Sequence, residues 1–200
     1  MKSIGISGVP GTGKSQLAKR VSQELGLDVV ELSDFAIRNN YVIAFDSERK
    51  SYIIDEEKLG KSIEKLAKES GPLIIVGHYV EIVPRDVLEI VFVLRRNPVE
   101  LIKILENRGW DGKKIAENIE AELVGVCTAN AVEELGEEMV VEIDVTSKSV
   151  NEVAEEVIKI IFGEKPVYYG YSVDWLSKLS KEELAYLLEF IEKFSQATQL

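Results

Sequence analysis

The sequence has a single cysteine, Cys127, which excludes an intramolecular disulfide framework. Its longest wholly apolar run, Ile90 to Leu94, is far short of the roughly 20 residues that span a bilayer. Five such residues instead suit a strand buried on both faces. The first residues, Met-Lys-Ser, lack the basic head and long apolar stretch of a signal peptide, so a cytoplasmic location is expected. Positive charge is also scarce: 24 Lys plus Arg stand against 35 Asp plus Glu, a net charge of −11. Such a field repels phosphate backbones, which excludes a general nucleic-acid coat protein and leaves any polyanionic ligand to a local cluster of donors. Internal repeats and low-complexity tracts are absent. What is present is a 46% apolar, 30% charged chain of 200 residues, enough for one compact domain with a real core.

Apolar, β-branched segments at Ile4-Gly5-Ile6, Val29 to Leu32, Leu73 to Val76, Ile90 to Leu94 and Met139 to Val145 alternate with helical patterns. That alternation predicts an α/β fold with a five-stranded parallel sheet covered by helices on both faces. Leu17, Val21 and Leu25 recur every four residues and predict a helix over 14–25, closed by Gly26. Leu59, Ile63 and Leu66 predict a second over 55–70, with Asp55-Glu56-Glu57 at its positive end and Gly71-Pro72 as its stop. Asn97-Pro98-Val99-Glu100 reads as a cap, a first-turn proline and an acid, opening a third helix whose stripe ends at Arg108. Ile115, Ile119, Leu123 and Val126 predict one long helix toward Leu135. Ser149 to Glu152 and Ser180 to Glu183 are capping boxes for two more. Residues 1–163 are expected to form the main domain, and 164–200 a C-terminal appendage with a helix over about 181–195. Tyr168, Tyr169, Tyr171 and Trp175 are read as packing against the domain surface, and Cys127 as a small buried hydrophobe.

Gly8-Val9-Pro10-Gly11-Thr12-Gly13-Lys14-Ser15 fits G-x-x-x-x-G-K-[ST] in a strand–loop–helix setting. This is the pattern of a P-loop. A triphosphate must be desolvated as it binds, and successive backbone N–H groups at a helix N-terminus supply donors with no side chain in the way. Gly8, Gly11 and Gly13 are the positions where a Cβ would obstruct. Lys14 is placed to reach the β and γ phosphates of ATP, and the Ser15 hydroxyl to ligate Mg²⁺. The chain lacks an N-K-x-D guanine signature and an LSGGQ segment, which argues against translational GTPases and transporter ATPases. The loop leaves the phosphoryl acceptor open: water, a nucleoside monophosphate or another hydroxyl. Two insertions, 33–54 and 108–118, are the places for an acceptor-binding arm and a closing lid.

The P-loop, Ser33-Asp34-Phe35-Ala36, Ile54-Asp55-Glu56-Glu57, His78 after a buried strand, Ile90-Val91-Phe92-Val93-Leu94-Arg95, and Arg108-Gly109-Trp110 with Lys114-Ile115 and Glu117-Asn118 together resemble the adenylate kinase isoenzyme 6 family. The resemblance covers about 2–160. It implies a broad-specificity nucleoside monophosphate kinase with ATPase activity, using ATP and Mg²⁺, that also binds a small-subunit platform ribosomal protein during rRNA maturation. No direct nucleic-acid or membrane contact is expected. Carried over, Gly8, Gly11, Thr12, Gly13, Lys14, Ser15 and Gln16 would hold ATP, about 31–54 would form the monophosphate arm, and about 107–117 the lid. Arg108 matches the lid-flanking arginine, and a guanidinium fork suits the spread charge of a transferring phosphoryl group. His78 would position the nucleophile or water; read from residue type alone, it is a core histidine.

The chain departs from that family at two places. The family has D-x-H where this sequence reads Val76-Gly77-His78, so the carboxylate that orients the Mg²⁺ shell is missing, with Asp34 and Glu81 as the candidates to assist. The monophosphate-arm arginine is one place off, at Arg38. Asp34 also reads as a helix N-cap, and Arg85 as either an acceptor-phosphate clamp or a solvated side chain. Arg95 and Arg96 end a strand on the ligand side of the sheet, so one should face phosphate and its neighbour away. Three functions remain open: a nucleoside monophosphate kinase, an ATPase assembly factor working through a ribosomal protein, and a kinase for a non-nucleotide hydroxyl.

Overall fold

The computed structural model of the chain describes residues 1–47 and 51–195. Its apolar segments form a five-stranded parallel sheet from β1 (Ser3–Ser7), β2 (Asp28–Glu31), β5 (Leu73–Val76), β6 (Leu88–Arg95) and β7 (Val140–Asp144), in the order β2-β5-β1-β6-β7. β1 and β5 are buried at every position, as strands covered on both faces must be. The chain runs from β1 out to the edge at β2, returns to β5 beside β1, then crosses to β6 on the other side. That reversal opens a crevice beyond the carboxyl ends of the strands.

On one face, α1 (Lys14–Leu25) and α7 (Val150–Ile161) bury Leu17, Val21, Val153 and Val157 against Ile4, Ile6, Phe92 and Leu94. The other face is covered by α3 (Glu56–Ser70), α4 (Pro98–Asn107), α5 (Gly112–Val124) and α6 (Val126–Leu135), through Leu59, Ile63, Leu101, Ile119 and Leu135. Helix starts follow their caps. Asp55 accepts from Lys58 N at 3.0 Å, Asn97 from Val99 N at 2.8 Å with Pro98 in the first turn, and Ser149 with Glu152 forms a reciprocal capping box. No described helix is long and apolar enough to cross a membrane.

Two expectations are corrected, the single long helix and the packing of the tyrosines. The long helix toward Leu135 is two helices, because Gly125 turns left-handed at φ 73° and ends α5. A Cβ there would also lie 3.2 Å from the Arg95 guanidinium. The expected arm is the short helix α2 (Leu32–Arg38) followed by an antiparallel pair, β3 (Val42–Asp46) with β4 (Ser51–Ile54). Residues 48–50 of that arm and 196–200 of the tail lie outside the described residues. The tail forms α8 (Trp175–Lys178) and α9 (Lys181–Ser195), and it contributes to the central core: Trp175 and Leu187 are fully buried. Tyr168, Tyr169 and Tyr171 are instead exposed.

A buried charge network fastens the tail to the sheet. Arg95 donates through Nε to Glu122 Oε1 at 2.9 Å and through Nη1 to Glu142. Glu122 also accepts from Trp175 Nε1 at 2.8 Å, and Glu142 from Thr128 and from the backbone N–H groups of Ser172 and Val173, each at 2.6 Å. Burial opposes the Arg95 charge, but the two carboxylates outweigh it and raise its pKa.

Candidate active site

At the crevice, β1 gives way to a loop that the sequence could close only with glycine. Gly8 has φ 129°, and a Cβ there would fall 2.5 Å from the Leu94 carbonyl oxygen. Thr12 is buried, and its hydroxyl donates to the Val9 carbonyl at 2.9 Å, pinning the loop from inside. Gly13 then starts α1 with no side chain capping it and with open space where a Cβ would stand. The first N–H groups of α1 are thus left for an anion.

The cleft over this loop has a volume of about 520 Å³. Gly11, Gly13, Lys14, Ser15 and Gln16 line it from the loop, His78 from the end of β5, and Arg96 and Arg108 from the two ends of α4. Lys14 arches back over its own loop, donating to the carbonyls of Gly8 and Val9 at 2.7 and 3.0 Å. Desolvation pushes its ammonium down to about 8, against the pull of the Glu31 carboxylate, and Arg108 adds to the depression. A ligand carrying several negative charges would relieve that repulsion. Three cationic side chains around a helix N-terminus give a site for phosphate groups on a chain that is otherwise strongly acidic.

His78 lies on the wall between this cleft and a second cavity of about 640 Å³. Its edge-to-face contact with Tyr79, at 4.3 Å between centroids, fixes the ring. Desolvation by the surrounding walls, helped by Lys14, lowers its pKa to about 4, although more than a third of its surface reaches solvent. The second cavity is lined by Glu56, Glu57, Glu81, Glu133 and Glu134, with no lysine or arginine among its described lining residues. Cys127 borders it with its thiol pushed up to about 11 by burial, so it is inert at neutral pH.

Several expected site residues lie elsewhere. Asp34 and Arg38 are exposed on α2, outside the cleft lining. Asp34 is not the N-cap: α2 starts earlier, at Leu32, which puts Asp34 inside the first turn. Arg85 precedes β6 at the opposite end of the parallel sheet from the loop and pairs with Glu138 on the surface. Glu81 lines the second cavity, not the cleft. Of the two strand-end arginines, Arg95 is buried and Arg96 faces the cleft, as the alternation of a strand requires. Sequence reasoning missed Glu31, the last residue of β2, which also lines the cleft and whose charge acts on Lys14. Its position at the carboxyl end of a parallel strand was the available signal.

A parallel sheet with this order and a glycine-built loop opening α1 define a P-loop nucleotide-binding fold. Residues 4–125 match the family described as AAA domain. A protein of Saccharolobus solfataricus named "Putative adenylate kinase" is 37% identical over 155 residues, covering 78% of this chain and 81% of that one. One of the same name from Sulfurisphaera tokodaii is 35% identical over 190 residues, 95% of this chain and 93% of its own, so that similarity reaches into the C-terminal tail. Thymidylate kinase from Candida albicans shares the fold, with a TM-score of 0.52 at 13% identity over 85% of this chain and 98% of that chain. The chain belongs to the AAA-domain family and, with these relatives, to the adenylate-kinase-like kinases.

Proposed function

We propose that the protein transfers the γ-phosphoryl group of ATP to AMP or a related nucleoside monophosphate. The observation that carries this reading is the convergence of Lys14, Arg96 and Arg108 on one uncapped helix start. The acceptor's phosphate oxygen is already ionised, so the reaction needs no general base; positioning and charge neutralisation do the work. The loop N–H groups and Lys14 would hold the β and γ phosphates, and Gln16 would flank them. Arg108, at the end of α4, would meet the charge spread over the transferring group, while His78 would orient the acceptor as a neutral donor or acceptor of hydrogen bonds. The exposed Ser15 hydroxyl is a hard oxygen donor, which fits magnesium. When bound, that ion would neutralise phosphate charge.

In this reading the arm is α2 with the β3–β4 hairpin, which carries exposed Ile43, Phe45, Tyr52 and Ile53. The lid is about 107–117, the turn after α4 together with the start of α5, which Asp111 caps by accepting from Lys114 N at 3.0 Å. Closure of both would exclude water and favour transfer over hydrolysis.

A second reading has its own observation. The larger of the two cavities is walled by five glutamates, and its described lining residues include no lysine or arginine, which suits a basic partner. That supports the isoenzyme 6 reading, in which ATP hydrolysis in the cytoplasm serves small-subunit maturation through a ribosomal protein. ADP formation with Mg²⁺ and ATP, measured across nucleoside monophosphates, sugars, small acids and the basic ribosomal protein, separates the readings. Stimulation by AMP supports the kinase, and stimulation only by the protein supports the assembly factor. ADP formed only with sugars or acids rejects both.

A further inference from the structure

Glu31 contributes the only carboxylate among the described residues lining the phosphate cleft. It ends β2, which pairs in parallel with β5, and its register partner there is Val76. The two strand ends reach the cleft side by side, but the Val76 side chain has no oxygen to offer. Although Glu31 occupies the cap position of α2, its side chain makes no capping hydrogen bond. It faces Lys14 electrostatically, across the same cavity that Ser15 lines. A P-loop serine supplies one oxygen to magnesium, and the ion takes one or two carboxylates besides substrate phosphates and its retained waters.

We infer that Glu31 is the positioning carboxylate for the magnesium shell, working from β2 with Ser15 opposite. This rests on the proposed use of Mg²⁺ and ATP. Neither Asp34 nor Glu81 shares the cleft, so neither competes for the role. The carboxylate acts on the metal and not on the nucleotide, since its charge repels phosphate. Its removal should therefore separate metal-dependent from metal-free nucleotide binding, which a purely structural residue would not do.

The test is titration calorimetry of the full chain with a non-hydrolysable ATP analogue, with Mg²⁺ and with EDTA, for the wild type, Glu31→Gln and Glu31→Asp. Manganese binding to each analogue complex is read in parallel by electron paramagnetic resonance. Thermal unfolding checks that each variant is folded. In Glu31→Gln, metal-free affinity should stay within about threefold or rise, while the gain from Mg²⁺ and the Mn²⁺ affinity both fall tenfold or more, the scale on which lost ligand support acts. Glu31→Asp, which keeps the charge, should recover part of both. An unchanged Mg²⁺ gain in Glu31→Gln overturns the inference, as does an equal loss with and without metal in both folded variants. A wild type that binds the analogue with no Mg²⁺ gain also overturns it but leaves the cradle standing. A wild type that binds no analogue removes the nucleotide-site reading itself.

Discussion

Glu142 offers the sharpest energetic prediction, because its buried carboxylate accepts four hydrogen bonds from three parts of the chain. Oε1 takes Arg95 Nη1 and the Thr128 hydroxyl; Oε2 takes the N–H groups of Ser172 and Val173. In Glu142→Gln the shape is kept, but one acceptor becomes an NH₂ donor. Turned toward Ser172 and Val173, that NH₂ meets two N–H groups that cannot reverse. Turned toward Arg95, it lets the Thr128 hydroxyl rotate to accept but loses the guanidinium bond, worth about 1.5–3 kcal/mol when charge-assisted. The two backbone bonds then lose charge assistance, about 1 kcal/mol each. Against this, Arg95 and Glu122 are left as a balanced pair, and one fewer buried charge needs compensation. The sum is about 2–4 kcal/mol, or a fall in melting temperature of roughly 5–15 °C for a chain of this size. Urea denaturation followed by tryptophan fluorescence, from Trp110 and Trp175, and by circular dichroism reads it. A loss under about 1 kcal/mol would refute the fourfold-acceptor argument. Glu138→Gln, which breaks the exposed pair with Arg85, should leave the midpoint unchanged within error.

The cleft makes three further predictions. Arg108→Ala should lower turnover by about 10²–10³ while ATP affinity stays within about threefold, because the guanidinium serves the transition state; equal losses in both would place it in ground-state binding. Gly8→Ala has neither the space nor the backbone conformation for its Cβ, so it should lower the melting temperature and weaken ATP binding at least tenfold, measured by thermal shift with and without nucleotide. With its pKa lowered from 6.5 to about 4, His78 in the folded protein resists a proton that the unfolded chain accepts. Stability should therefore decline as pH falls from about 6.5 toward 4, by an amount that solvent access moderates, and His78→Asn should flatten that slope. Activity should show no His78 inflection between pH 6 and 8; one that vanished in His78→Asn would contradict the lowered pKa.

The parts of the fold legible in the sequence were those where a single constraint acts. The phosphate loop shows because glycine, lysine and serine are each required at fixed spacing, and the capping boxes because both partners lie three residues apart. Gly125 was passed over because Ile119, Leu123 and Val126 keep a helical spacing across it; the break is imposed by the Arg95 side chain from β6 and by a left-handed backbone, neither of which is local. The β3–β4 hairpin left no alternating pattern because most of its residues are exposed, Ile43 and Phe45 included. The strand end placed the Arg95-Arg96 pair, but lone arginines carry no spacing signal, so Arg38 and Arg85 could not be placed until the fold set which end each occupies. Nothing local marks Glu142 and Glu122 as buried acids, because Arg95 and the tail that enclose them are distant in sequence. Glu31 was hidden similarly, since only the pairing of β2 with β5 brings it to the cleft.

The most direct measurement is transfer of label from ATP carrying ³²P at the γ position to AMP, with Mg²⁺, in wild type and Lys14→Met. Labelled ADP from the wild type, at least a thousandfold reduced in the folded Lys14→Met protein, is the predicted result. Label appearing only as inorganic phosphate with every monophosphate, or transfer undiminished without Lys14, would contradict the account.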